Sequence, residues 1–281
     1  MLISQRLECI SADDAVSTVN MGSAEYPGRA WILRPIVWFA TAYTVVVIVH
    51  ETAHALTGTA LGISSTLFNF WVDHDFSQAS PGQRAAVGIA GPTAGLLLGL
   101  VCWLLYRRRR GNYSRLPLLY LTSFGLSNFF GNLMSAAFVG DFSNAAILLG
   151  LSPGARYAAS AIGVTVLASI AFLAGRELGR LAPRSAGRLA TVSGLVILPV
   201  LVGTAAIIGI NQPTPMGASF ATARLAESGF WIFGAVGALT TWAHRRSDDH
   251  GWQLRVTDNS VAILTAMCVR LMATGIHLGS S

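Results

Sequence analysis

Two histidines and a glutamate stand in the pattern His-Glu-x-x-His within residues 45–56. His50 and His54 are four residues apart, so on a helix both imidazoles project from one face and can bind a single metal ion. Glu51 directly follows the first histidine and is placed to act as general base on water at that metal. The motif alone leaves one alternative open, a pair of buried histidines satisfied by hydrogen bonds.

A zinc ion bound by two histidines needs at least one further protein ligand and an open position for water. Asp141 is the candidate ligand, because it directly follows one apolar run and soon precedes another. If the first and third apolar runs are parallel membrane helices, their C-terminal ends meet on one side and the three side chains converge. The sequence therefore predicts one zinc ion on His50, His54 and Asp141. The alternatives are that Asp141 caps a helix or pairs with Arg156.

The composition is typical of a multi-pass membrane protein. Of 281 residues, 53% are hydrophobic and 11% are charged, whereas a soluble domain carries about 25% charged residues. The net charge is +6, but the arginines cluster in short loops between apolar runs, where membrane orientation explains them. We therefore expect contact with lipid and no nucleic-acid partner. The cysteines, Cys9, Cys102 and Cys268, are too far apart to indicate a disulfide framework or a thiolate zinc site.

The predicted fold class is an all-α multi-pass membrane protein with about six transmembrane helices and a short membrane-surface β-strand or hairpin after the first. Residues 66–72 predict the strand, because they are rich in β-branched and aromatic side chains and turn residues follow them. Asp73-His74-Asp75 is expected to be a solvated acidic turn, with a second metal site as the alternative. The helices are expected at about 35–61, 84–106, 116–139, 155–174, 189–210 and 230–243.

The second predicted helix carries a stripe of small residues. Gly91, Gly95 and Gly99 recur every four residues, a spacing that lets another helix backbone approach closely. Pro92 is expected to perturb this helix locally.

Three segments together resemble the site-2 protease family of intramembrane zinc metalloproteases. They are H-E-T-A-H-A-L in the first membrane helix, A-G-P-T-A-G-L in the second, and an asparagine nine residues before an aspartate, Asn132 to Asp141, in the third. The resemblance covers roughly residues 35–150.

This resemblance implies a zinc-dependent intramembrane endopeptidase, which hydrolyses a peptide bond in or near a membrane segment of a protein or peptide substrate. His50, His54 and Asp141 would bind the zinc ion, and Glu51 would activate water.

The resemblance also implies roles for the surrounding segments. The Gly91-Pro92 segment would pack against the motif helix, and the strand at 63–76 would resemble a membrane-surface loop that guides substrate. Asn128 and Asn132 are candidates to hold substrate or polarise its carbonyl, with interhelical hydrogen bonding as the alternative.

The chain departs from the family pattern at two places. Gly140 precedes Asp141 and Phe142 follows it, where the family usually has Asp-Gly, and Gly95 stands where many members have asparagine. The alternative function is therefore a non-proteolytic membrane protein, an inactive scaffold or a transporter, that retains the fold.

The chain divides into four expected parts: a polar N-terminal arm (1–30), a three-helix metalloprotease-like core (31–154), additional transmembrane helices (155–243), and a tail with an interfacial helix (244–281). We see no signal peptide in the polar arm. The arginine-rich loops 107–115 and 176–188 fall on the same side as the N terminus. We therefore expect an integral protein of a prokaryotic cell membrane with a cytoplasmic N terminus.

Overall fold

A computed structural model describes residues 30–108, 112–183, 186–211, 225, 228–242 and 256–279. The chain is mostly helical and contains one small three-stranded sheet, which confirms the predicted class in outline. The polar arm, apart from Ala30, lies outside the described residues and includes Cys9. Residues 244–255 and 280–281 of the tail also lie outside them.

In chain order, the described helices are α1 (Ala30–Ala60), α2 (Pro81–Arg108), α3 (Asn112–Met134), α4 (Asp141–Leu148), α5 (Pro153–Leu181), α6 (Arg188–Val192), α7 (Thr204–Asn211), α8 (Trp231–Thr241) and α9 (Val256–Met272). A 3₁₀ turn, Ser135–Ala137, follows α3, and two π-helical turns, Ser193–Ile197 and Pro199–Gly203, lie between α6 and α7. The strands are β1 (Ser65–Leu67), β2 (Val72–His74) and β3 (Ile276–Leu278).

In the part of the chain that the structure describes, four helical runs are long and apolar enough to cross a membrane: Trp31–Ala60, Pro81–Arg108, Pro153–Leu181 and Arg188–Gly209. They correspond to the first, second, fourth and fifth predicted helices. The third, α3, has the length but is not among the four, and the sixth, α8, has only 11 residues.

A cluster of aromatic side chains packs α1 against α3 and α8. The buried ring of Phe39 lies 4.8 Å from that of Phe124 and 5.8 Å from that of Tyr120, both edge to face. Trp231 packs on the same ring at 5.6 Å. Buried aromatic pairs of this geometry add stabilisation beyond their buried area. The cluster therefore fixes α1, which carries the His-Glu-x-x-His motif, relative to α3.

The helices α2 and α3 approach each other most closely at two glycines. A Cβ atom on Gly99 would lie 2.7 Å from the Leu126 nitrogen, and one on Gly125 would lie 2.6 Å from the Gly99 nitrogen. Real side chains do not tolerate such contacts, so the backbones touch because both positions are glycine.

A strand or a hairpin was predicted after α1, and the structure has the hairpin. Residues 66–72 are not one strand: β1 and β2 pair antiparallel, with Leu67 opposite Val72, and a tight turn joins them. The sheet order is β2-β1-β3, because Ile276–Leu278 from the tail adds antiparallel to the other edge of β1. This third strand was not predicted. The helix before it, Val256–Met272, extends beyond the predicted apolar run and packs on α1.

Candidate metal centre

The two histidines of the motif lie on one face of α1 and meet an aspartate from another element. The Nε2 atoms of His50 and His54 are 2.9 Å apart, and both residues are buried. The Asp141 carboxylate oxygen Oδ2 lies 3.1 Å from the His50 Nε2 and 3.4 Å from the His54 Nε2. Across the part of the chain that the structure describes, these three residues form the one group of histidine, cysteine or acidic side chains that could hold a metal ion.

Asp141 reaches this position by a route that differs from the predicted one. The third helix was expected to run to Val139, but α3 ends at Met134, and Asp141 is the first residue of the separate helix α4. Between them, Gly140 has φ 100° and ψ −173°, a combination that only glycine adopts readily. This sharp turn starts a new helix, which places the carboxylate at the N-terminal end of α4.

A hydrogen-bond acceptor holds the other ring nitrogen of each histidine. The Nδ1 atom of His54 lies 2.6 Å from the backbone carbonyl oxygen of Val87, and the Nδ1 atom of His50 lies 2.8 Å from the Asn128 side-chain oxygen. A carbonyl can only accept, so each Nδ1 carries the proton and donates it. A neutral imidazole in this tautomer leaves the Nε2 lone pair bare. Such outer contacts are typical of histidines that bind metals.

Two imidazole Nε2 atoms and one carboxylate oxygen, all potential metal ligands, therefore lie within 3.4 Å of one another. That arrangement is repulsive unless a proton or a metal cation lies among the atoms. Ligand atoms around a tetrahedral zinc ion are about 3.3 Å apart, given zinc–ligand bonds near 2.0–2.1 Å. The donor set and its spacing thus fit a zinc ion.

Two glycines of α2 lie against the histidine rings and Asn128, where a larger side chain would not fit. A Cβ atom on Gly91 would lie 2.3 Å from the His54 Nε2 atom, and one on Gly95 would lie 2.5 Å from the Asn128 side-chain oxygen. Pro92 stands between them and is fully buried. The small-residue stripe of α2 therefore packs on α1 at the two histidines and on α3 at Asn128.

Glu51 faces a cavity of about 610 Å³ that also contains the three candidate ligands. The cavity is walled by the hairpin on one side, through Trp71 and His74, and by α4 on the other. Glu51 is 9% exposed, and among the described residues no hydrogen bond to its carboxylate is found. Arg84 also lines the cavity, with its guanidinium 5.3 Å from the Phe76 ring centroid.

The structure gives the two candidate substrate residues contacts within the helices. Asn128 accepts from His50, as described, and Asn132 donates to the Asn128 backbone oxygen at 3.0 Å. Neither asparagine lines the 610 Å³ cavity, so their role with substrate stays a prediction. Arg156 donates to the carbonyl oxygens of Ala136 and Ala137, at 3.1 and 2.8 Å, rather than to Asp141.

The sequence of the hairpin also predicted an acidic turn with a second metal site as the alternative. Asp73 and His74 lie instead on β2, and the His74 Nδ1 atom is 2.8 Å from the Ser65 hydroxyl oxygen. Burial, aided by the nearby His54, lowers the pKa of His74 to about 4. His74 is therefore neutral at neutral pH, and it forms no metal group with its acidic neighbours, as far as the described residues go.

Two contacts of the site were not predicted. The carbonyl of Val87 has no signature in sequence, because every residue has one. The contact of Asn128 with His50 could be found only from the facing positions of α1 and α3. Comparisons of the chain with models of known protein families, with curated proteins and with solved structures give no match.

Proposed function

We propose that this protein is a zinc-dependent intramembrane endopeptidase, similar to the site-2 proteases. The observation that carries the proposal is the convergence of three potential ligand atoms, from His50, His54 and Asp141, in a cavity that Glu51 also lines. A carboxylate in the same cavity as a two-histidine, one-carboxylate ligand set is the arrangement of zinc hydrolases.

In the proposed reaction, the metal ligands, Glu51 and the groups that orient the histidines have separate roles. A zinc ion held by His50, His54 and Asp141 supplies Lewis acidity, which polarises a carbonyl and makes water acidic near neutral pH. Glu51 accepts a proton from water on its carboxylate and passes it to the leaving amine. Asn128 and the Val87 carbonyl hold the imidazoles in the required tautomer.

The hairpin gives substrate a place to bind. A peptide bond in a membrane helix is shielded by its own hydrogen bonds, so cleavage requires local unwinding. Strand addition would satisfy the freed backbone groups. Strands lie on both sides of β1, so residues 66 and 67 offer no edge for pairing. Among the described residues, no strand pairs with the other edge of β2, and Val72 and His74 of β2 line the cavity.

We further propose that the chain crosses the membrane six times, with α3 and α8 completing the four long apolar helices, and that its N terminus is in the cytoplasm of a prokaryotic cell. The substrate would then be a membrane protein or a membrane-embedded peptide. The polar residues of α3 do not prevent it from crossing the membrane, because its asparagines bond within the protein. Asn128 contacts His50 of α1, and Asn132 donates to the Asn128 backbone oxygen.

The proposal predicts that cleavage depends on Glu51. Membrane proteomes of cells with the wild-type protein and with Glu51→Gln should differ by a fragment that only the wild type produces. Asp73→Asn, at an exposed carboxylate on β2, is the matched control and should still produce it. A fragment that persists at the wild-type level in Glu51→Gln would contradict the mechanism, and no difference at all would favour the inactive scaffold or transporter.

A further inference from the structure

A second cavity, of about 570 Å³, lies at the other end of the helix bundle. Its walls come from the C-terminal end of α2, the N-terminal half of α3 and the C-terminal end of α5. Arg115 at its rim and Asn128 at the candidate metal centre are roughly 20 Å apart along α3, at 1.5 Å per residue. The two cavities are therefore separate, and the second plays no part in the proposed hydrolysis.

The second cavity is strongly basic. Its one carboxylate, Glu177, is engaged twice: it accepts a hydrogen bond from the Tyr106 hydroxyl at 2.6 Å and pairs with Arg180 one turn further along α5. The remaining charged residues of the wall are Arg107, Arg115 and Arg176. Within the described ranges, none of these three has a carboxylate within ion-pairing distance.

Aromatic rings hold these arginines in place without neutralising them. The guanidinium of Arg115 lies 4.5 Å from the Tyr106 ring centroid, and that of Arg107 lies 5.0 Å from the Trp103 ring centroid. Stacking occupies the faces of a guanidinium and leaves its N–H edge free to donate. The Nε atom of Arg115 is buried and has no hydrogen-bond partner. The other N–H groups of Arg115 and those of Arg176 are the donors that an oxyanion in the cavity could bind.

The wall of the cavity changes from charged to apolar toward the middle of the bundle. Leu126, Ile170 and Leu173 continue it from the arginines, and the Leu173 side chain is 54% exposed on the outer surface of α5. A ligand that fits both parts has an anionic phosphate at one end and a hydrocarbon chain at the other. We propose that this cavity binds an anionic phospholipid, with its phosphate on Arg115 and Arg176 and an acyl chain along the leucines.

Native mass spectrometry of the full-length protein in detergent tests this proposal. Dioleoyl phosphatidylglycerol should bind saturably, and dioleoyl phosphatidylcholine should bind more weakly. Arg115→Gln with Arg176→Gln should weaken phosphatidylglycerol binding about 25-fold, roughly fivefold for each arginine. Arg270→Gln, at an exposed arginine in the last turn of α9, is the control and should bind as the wild type does.

Three results would overturn the proposal. Equal binding by the double variant and by Arg270→Gln would mean that the cavity does not select the lipid. Equal binding of the two lipids would mean that only the apolar wall is used, and displacement of the lipid by inorganic phosphate at the same concentration would assign the site to a free anion. Should the double variant fail to fold, Arg176→Gln alone, at a half-buried position, gives the same test with an expected loss of about fivefold.

Discussion

At the scale of single residues, the hydrogen bonds of the Nδ1 atoms of His50 and His54 set how the two rings face the candidate metal site. His54 bonds to the Val87 carbonyl and His50 to the Asn128 amide, so both present a bare Nε2 atom to Asp141. Without these acceptors, either ring could flip or adopt the other tautomer. The spacing of the motif gives the pair of imidazoles, but the packing of α2 and α3 on α1 gives their orientation.

This account predicts a role for Asn128 in metal affinity. Asn128→Ala should weaken zinc binding about 10- to 100-fold, because the His50 ring loses the acceptor that fixes it. Competition with a zinc-binding dye measures the effect on the purified protein. Asn132→Ala is the matched control, since Asn132 bonds only to the backbone of its own helix among the described contacts. Equal affinities of the two variants would mean that Asn128 does not orient His50.

The residues of the site differ in how far the sequence predicts them. His50, Glu51 and His54 follow from the motif, because helix geometry alone brings positions i and i+4 together. Asp141 follows from the argument that parallel helices end on one side. The structure does bring it to the histidines, although through a turn at Gly140 and a separate helix. The Val87 carbonyl was not predictable, because it depends on the register between two helices.

At the scale of elements, α2 is the part that brings the site together. Its glycines lie against both neighbours of the candidate centre, Gly91 on the histidines and Gly95 on Asn128. The predicted stripe of small residues indicated close packing, but the sequence alone did not show that α2 touches the histidine rings. The sheet was only partly predictable, because β3 pairs with β1 across some 200 residues of chain and pairing at such separation leaves no local pattern.

The packing of α2 gives a second prediction. In Gly91→Ala the new methyl group would lie 2.3 Å from the His54 Nε2 atom, so the ring must move. Zinc affinity should fall at least about tenfold, as it does when the surroundings of a metal ligand are disturbed. Gly82→Ala, in the first turn of the same helix with open space around it, should bind zinc as the wild type does. The same dye competition compares them, and unchanged affinity in Gly91→Ala would contradict the described contact.

At the scale of the whole molecule, charge and hydropathy predict the membrane class and the location of the basic residues better than they predict the number of membrane-spanning helices. Among the described residues, four runs are apolar enough to span a membrane, whereas α3 contains polar side chains such as Asn128 and Asn132 and is not among them. Asn128 contacts His50 of α1, and Asn132 bonds to the backbone of its own helix. The basic ends of α2 and α5 meet at one end of the bundle, where they wall the second cavity. The candidate metal centre lies toward the other end. The arginines that the sequence predicts on one side of the membrane thus lie at one end of the helix bundle.

The proposed orientation predicts the outcome of reporter fusions. Green fluorescent protein joined within residues 109–111 should fluoresce, because the loop between α2 and α3 would be cytoplasmic. Alkaline phosphatase joined at residues 149–152, between α4 and α5, should be active, because that turn would face outward. The reversed pattern would place the candidate metal centre toward the cytoplasm and would show that the arginine-rich loops do not set the orientation.

The central claim is that His50, His54 and Asp141 hold one zinc ion, and metal analysis of the purified protein tests it most directly. The wild-type protein, dialysed against buffered zinc, should retain about one zinc ion per chain. Asp73→Ala, which removes an exposed carboxylate of β2, should retain the same amount. Asp141→Ala should bind zinc more weakly, so that the free zinc concentration needed for half occupancy is at least about tenfold higher than for the wild type. A wild-type protein that holds no zinc, or an Asp141→Ala variant that holds it as tightly as Asp73→Ala, would contradict the account.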